Sequence, residues 1–179
     1  MSDFNHLQLH PLAGADLHEL LAFELENRAY FETWVAARAP SYYSLETIDA
    51  VIEQAQRERQ QDISHQYLAK LDGQIVGRIN LTAVTRPYFN KAQLGYRVGE
   101  KFGGRGYATR IVALLLEEAF GKLDLWRLET TIQPQNLGSI AVMQRNGFNQ
   151  YGRAEKAMLF QQEWSDLLYF ERRNEKLDI

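Results

Sequence analysis

The chain has 179 residues and no cysteine, so it is long enough for one domain with a real core and has no disulfide, thiolate metal site or cysteine nucleophile. Its 45% hydrophobic and 24% charged residues fit a globular protein, and its net charge of −3 argues against sequence-independent nucleic-acid binding. No apolar run reaches membrane-spanning length, and the first residues lack the charge and apolar core of a secretory signal, so no membrane partner and a cytoplasmic address are expected.

Residues 6–12 alternate weakly and read as a first strand. Asp16, with Glu19 three positions on, resembles a capping box that opens a helix whose apolar face is Leu17, Leu20 and Leu21. A second helix is expected over 26–34 and a loop over 39–43. Ser44 is placed to cap a third helix, 45–59, with Ile48, Val51, Ile52 and Ala55 as its buried stripe. Strands over 67–71 and 75–84 flank Asp72-Gly73, a hairpin-turn pair. Arg86-Pro87 ends the second of them, and 92–98 forms another strand. A glycine-rich turn follows, then a helix over 104–120 lined by Tyr107, Ala108, Ile111, Leu114, Leu115 and Ala119. After a strand over 126–132, Asn136 is placed to cap a short helix that stops at Gly147. Phe148 starts a last strand region, in which 157–160 and 167–171 read as a hairpin around a turn at 161–163. This order predicts an α+β or α/β domain around one mixed sheet, with the whole chain, 1–179, as that domain.

The chemistry concentrates in the strand–turn–helix around Lys101-Phe102-Gly103-Gly104-Arg105-Gly106-Tyr107-Ala108-Thr109. A turn of this kind frees backbone N–H groups at the positive end of a helix, which suits a phosphate or pyrophosphate. Gly103, Gly104 and Gly106 bring no side chain to block its approach. A P-loop would need Gly-Lys-Ser/Thr, but Gly106 is followed by Tyr107 and Ala108. A dinucleotide fold would need a third glycine, where Thr109 stands, and an acid after the next strand, which ends in Thr130-Thr131.

The turn resembles the acetyl-CoA loop of the GCN5-related N-acetyltransferases, Gln/Arg-x-x-Gly-x-Gly/Ala, with lysine in the first position. A second block, Asn136 to Phe148, is similar to that family's Asn-x-x-Ser…Gly-Phe helix. Leu94 to Lys101, Glu26-Asn27-Arg28 and Trp164-Ser165-Asp166 resemble the RimJ/RimL branch, RimJ above all, which acetylates the N-termini of ribosomal proteins. The resemblance implies a mostly antiparallel sheet flanked by helices, with acetyl-CoA at a splay between two central strands and no metal. It implies that the N–H groups of Phe102 to Ala108 hold the pyrophosphate, with Lys101 and Thr109 beside them and Asn136 on the pantetheine arm. Backbone N–H groups at Arg97 or Val98 would polarise the acetyl carbonyl.

Many relatives place a tyrosine acid seven residues after the asparagine; here that position is Met143, and Ser139 is the replacement candidate, or only a helix-capping residue. Glu24, Glu26 and Glu32 are possible proton acceptors or simply solvated helix charges. Asn27, Trp34 and Asn80 are candidates for the acceptor cleft, with Tyr42 and Tyr43 at its entrance, or core. His6, His10, His18 and His65 have no metal-ligand spacing. The expected function is acetyl transfer to an N-terminal α-amine by direct attack in a ternary complex. The alternatives are acetylation of a polyamine, amino acid or antibiotic, and a CoA-binding regulatory module without turnover.

Overall fold

Residues 4–177 are described in the computed structural model. One seven-stranded sheet runs through them in the order β1-β2-β3-β4-β5-β7-β6. Its strands are β1 (Leu7–Pro11), β2 (His65–Leu71), β3 (Gln74–Thr85), β4 (Lys91–Val98), β5 (Arg127–Ile132), β6 (Asn149–Phe160) and β7 (Glu163–Arg173). Every pairing is antiparallel except β4 with β5.

The helices cover both faces. On one lie α1 (Leu17–Glu26) and α3 (Leu45–Gln60), joined through the short α2 (Arg28–Phe31). They bury Leu20, Phe23, Ile48 and Ile52 with Leu68 and Ile75 of the sheet. On the other lie α4 (Tyr107–Gly121) and α5 (Leu137–Arg145), which bury Ile111, Leu115, Val142 and Met143 with Ile79, Leu81 and Leu128. Each fully buried aliphatic side chain contributes about 1.5–3 kcal/mol by leaving water. Cover on both faces explains why β3 reads as a nearly continuous buried run, Ile75 to Ile79, where a half-exposed strand would alternate. Among the described residues no helix is long and apolar enough to cross a membrane.

Several local expectations need correction. Asp16 does not cap α1: its carboxylate accepts from the Ala13 N–H at 2.9 Å and from Lys70 Nζ at 2.8 Å, and Glu19 reaches the same lysine. The second helix shrinks to one turn because Asn27 leaves helical geometry at φ −103°, ψ 5°. Val51 is only half-buried. The helix expected from 104 starts at Tyr107, since Gly104 and Gly106 take φ of +67° and +87°. The terminal hairpin is far longer than its apolar core suggested. Ser44 does cap α3, accepting from the Thr47 N–H at 3.2 Å, and Asn136 caps α5.

Candidate active site

The site begins where two parallel strands part. β4 pairs with β5 over Lys91, Ala92 and Gln93 only, opposite Arg127, Leu128 and Glu129. Beyond Gln93 the strands diverge, although β4 continues to Val98 and β5 to Ile132. A cavity of about 730 Å³ opens in the gap, lined along β4 by Gln93 to Val98 and along β5 by Thr130 to Ile132.

Backbone direction decides which amides face that gap. The Gly99 N–H donates to Val76 O at 2.9 Å, toward β3. Strand amides alternate in direction, so with Arg97 opposite Arg78, the N–H groups of Arg97 and Gly95 also face β3. Those of Val98, Tyr96 and Leu94 face the splay. Of the two backbone donors expected from sequence, the Val98 N–H faces the splay and the Arg97 N–H faces β3.

The glycine turn closes one end of the cavity. The N–H groups of Phe102 and Gly103 are taken by Gly99 O and Glu100 O at 2.9 Å each, so they are not free for a phosphate as expected. Those of Gly104 to Thr109 have no protein acceptor among the described residues, and the first intrahelical bond across the helix start comes from Arg110 to Gly106 O. A Cβ placed on Gly104 would meet nothing within 4 Å, so the turn opens onto empty space there. The N-terminus of α5 lies beside it, where Asn136 Oδ1 accepts from the Ser139 N–H at 3.1 Å. Two helix N-termini and a free amide row fit a pyrophosphate. Gly103, Gly104, Gly106, Ala108, Thr109, Asn136 and Ser139 line the cavity. Lys101, Arg105 and Tyr107 do not: Lys101 reaches Glu26 at 3.4 Å, Arg105 lies over the Tyr107 ring, and Tyr107 is buried against Phe4 and Phe102. Arg145, at the end of α5, lines the cavity and was not foreseen.

Ser139 points into the cavity, and its Oγ accepts from the Tyr96 hydroxyl at 3.1 Å. Burial, and to a lesser degree Tyr30, pushes the Tyr96 phenol above its usual value against the opposing pull of that bond. Tyr96 is therefore a protonated phenol beside the serine. Met143 is fully buried, and the phenol that reaches Ser139 comes from β4 instead. Sequence spacing along one helix could not reveal this pair, because its members lie 43 residues apart.

The other mouth of the cavity is apolar. Tyr30, Phe31, Trp34 and Val35 face Met158, Leu159 and Phe160 of the β6–β7 hairpin. Gln133 and Gln161 tie the two sides together through Trp34 O and Glu32 O, each at 3.4 Å. Trp34, a candidate for the acceptor cleft, lines this apolar mouth. Asn27 does not: it is buried, donates to Phe23 O at 2.9 Å and accepts from the Glu100 N–H at 2.8 Å, joining α1 to the turn after β4. Asn80 is one strand away, beside Gly95, and outside the lining. Tyr42 hydrogen-bonds Arg78 at 3.2 Å, and Tyr43 lies under Arg28, both outside the cavity. Glu26 and Glu32 are paired with Lys101 and Arg28. Glu24 is no solvated charge: it is 1% exposed and holds Arg78, Arg38 at 3.2 Å and Arg97 at 3.5 Å. Among the described residues no aspartate or glutamate lines the cavity, whose charged lining residues are Arg97 and Arg145.

A splayed parallel pair, a free amide row that fits a pyrophosphate and an open apolar mouth suit an acyltransferase site. The family model for the acetyltransferase (GNAT) domain matches residues 6–149. The chain is 30% identical over 162 residues to the probable N-acetyltransferase YjcK of Bacillus subtilis, covering 89% of this chain and 90% of that one. The crystal structure of ribosomal-protein-S5-alanine acetyltransferase from Vibrio fischeri superposes with a TM-score of 0.92 at 20% identity, covering 98% and 97% of the two chains. Mycobacterium smegmatis RimJ in complex with CoA-disulfide gives 0.88 at 24% identity, covering 97% and 84%. The chain belongs to the GNAT family: it is an N-acetyltransferase whose acyl donor is acetyl-CoA.

Proposed function

We propose that residues 1–179 work as one cytoplasmic acetyltransferase domain that acetylates the N-terminal α-amine of a polypeptide, a ribosomal protein being the expected acceptor. The observation that carries this reading is a cavity with an open apolar mouth and, among the described residues, no carboxylate in its lining. An α-amine, with a pKa of about 8, is roughly one-tenth neutral at pH 7; a lysine, with a pKa of about 10.4, is neutral in roughly one molecule in 2,500. A site without a carboxylate base suits the first. The ribosomal acceptor named for the Vibrio fischeri relative supports the finer assignment.

Acetyl-CoA supplies an acyl carbon to which the amine nitrogen bonds as the C–S bond breaks, the amine giving up a proton and the sulfur gaining one. The Val98 N–H donates to the carbonyl oxygen as charge develops there, an effect worth about 3–4 kcal/mol in comparable sites. The Ser139 hydroxyl hands its proton to the departing sulfur and the Tyr96 hydroxyl, at 3.1 Å, restores it, while the amine's proton passes to solvent and Tyr96 takes one back from solvent through the open cavity. The free amides of Gly104 to Thr109 and the Asn136 side chain hold the donor still, and no residue of the chain carries the acetyl group.

The test is thiol release from acetyl-CoA with N-terminal peptides of ribosomal proteins, with spermidine and with no amine. Release dependent on a peptide α-amine is expected. CoA binding without release by any primary amine would make the protein a regulatory CoA module instead.

A further inference from the structure

Glu24 is the single carboxylate within ion-pair distance of Arg38, Arg78 and Arg97 among the described residues. One negative charge therefore meets three guanidinium groups. Arg78 is buried and takes the closest contact, with further bonds to Tyr42 and Gln66. Arg38 stacks over the Tyr42 ring at 4.0 Å and holds Glu24 at 3.2 Å. Arg97 is left with the longest contact, 3.5 Å, and its position over the Phe31 ring at 5.1 Å. A guanidinium has five N–H donors, so most of its capacity is unused. Its own burial, with Arg38 and Arg78 nearby, draws its pKa below the usual arginine value despite Glu24, in keeping with a cluster short of negative charge.

Arg97 also lines the cavity, on the sheet face of α1 and opposite the face carrying α4 and the free amide row. Its backbone N–H is committed to β3, so only its side chain is offered to a ligand. A polyamine entering here would bring cations to a lining that, among the described residues, has two arginines and no acid. A carboxylate would instead meet a partly desolvated fork that matches its geometry.

We propose that the Arg97 guanidinium is an anion subsite on the acceptor side of the cavity, and that the acceptor carries a carboxylate close to the amine it presents. This rests on the acetyl-transfer reading and narrows its substrate class. The carboxylate has two possible sources: the α-carboxylate of a free amino acid, or an acidic side chain next to the N-terminus of a polypeptide. Polyamines are excluded as acceptors.

Binding of acetylated products to the CoA-loaded protein tests this without requiring turnover. By calorimetry, N-acetyl-alanine is compared with N-acetyl-alaninamide, and N-acetyl-Ala-Asp-amide with N-acetyl-Ala-Asn-amide. The anionic member of at least one pair should bind about tenfold tighter or more, the scale of a charge-assisted hydrogen bond. The first pair reports a free amino acid and the second a polypeptide. Arg97→Gln should bring the preferred ratio near unity and Arg97→Lys should retain part of it, thermal unfolding verifying that both variants fold. Equal binding within both pairs, or a preference that survives in Arg97→Gln, overturns the proposal. If the preference holds while no amine is acetylated, the subsite stands and the transfer reading fails.

Discussion

In the proposed reaction Ser139, on a helix, and Tyr96, on a strand, share the proton work, and their roles would separate in kinetics. If the serine delivers the proton, Ser139→Ala lowers kcat more than it raises KM for acetyl-CoA, because the loss is felt only as the sulfur departs. Tyr96→Phe should act in the same direction but less, since it removes only the group that restores the serine. A general acid is worth about a hundredfold or more where the leaving group needs it, and a thiol of pKa about 8.5 needs less help. A decrease in kcat of roughly tenfold for Ser139→Ala is therefore expected. Steady-state rates at saturating acetyl-CoA check it; equal kcat for the two variants and the parent would remove both hydroxyls from the chemical step.

Residue by residue, sequence was informative where a role is local. Asn136 capping α5 could be read because donor and acceptor lie three positions apart. Glu24 could not, because its three arginine partners come from the α2–α3 connection and from two strands. The same limit misplaced Asn27, whose amide joins segments 73 residues apart.

At the scale of elements, the turn before α4 carries the binding argument. Gly104 and Gly106 both take positive φ, so the chain delivers its amides to the cavity in a conformation that side chains resist. The two positions differ in surroundings: a Cβ at Gly106 would come within 3.3 Å of Phe4, whereas Gly104 faces open space. Gly104 is thus the cleaner probe. Gly104→Ala should cost about 1–2 kcal/mol of stability from left-handed backbone strain. Gly104→Val should weaken CoA binding by more than any fall in stability accounts for, because its branches occupy the space the pyrophosphate needs. Calorimetry with CoA beside urea unfolding separates the two effects; unchanged affinity in Gly104→Val would leave an ordinary turn.

Glycines and a helix pattern announced this element in the sequence, but not its boundary at Tyr107, which depends on φ at two glycines. The β6–β7 hairpin was half legible. Its outer residues are exposed and polar, so only pairing with β5 and the tight Gln161–Gln162 turn, both at positive φ, extend it to Asn149 and Arg173.

For the whole molecule, the decisive feature is a sheet that parts between β4 and β5, with the free amide row on the face of α4 and α5 and an apolar mouth, the proposed acceptor entrance, between α2 and the β6–β7 hairpin. Strand order and splay are long-range properties that periodicity does not carry; they were expected from the motif pair and its family resemblance. The layout also sets the pH behaviour. The Tyr96 phenol, raised by burial, stays protonated through neutral pH, so the rising limb of the rate should follow the acceptor amine. For a peptide α-amine it should rise roughly tenfold per pH unit below about pH 8 and then level. With no carboxylate lining the cavity among the described residues, nothing there compensates for the higher pKa of lysine. A peptide blocked at its N-terminus but carrying free lysines should therefore be inert near pH 7, while its unblocked twin is acetylated. Mass spectrometry of both products over a pH series checks this. Equal rates for the two peptides would require a base outside the cavity lining and would rule out the N-terminal assignment.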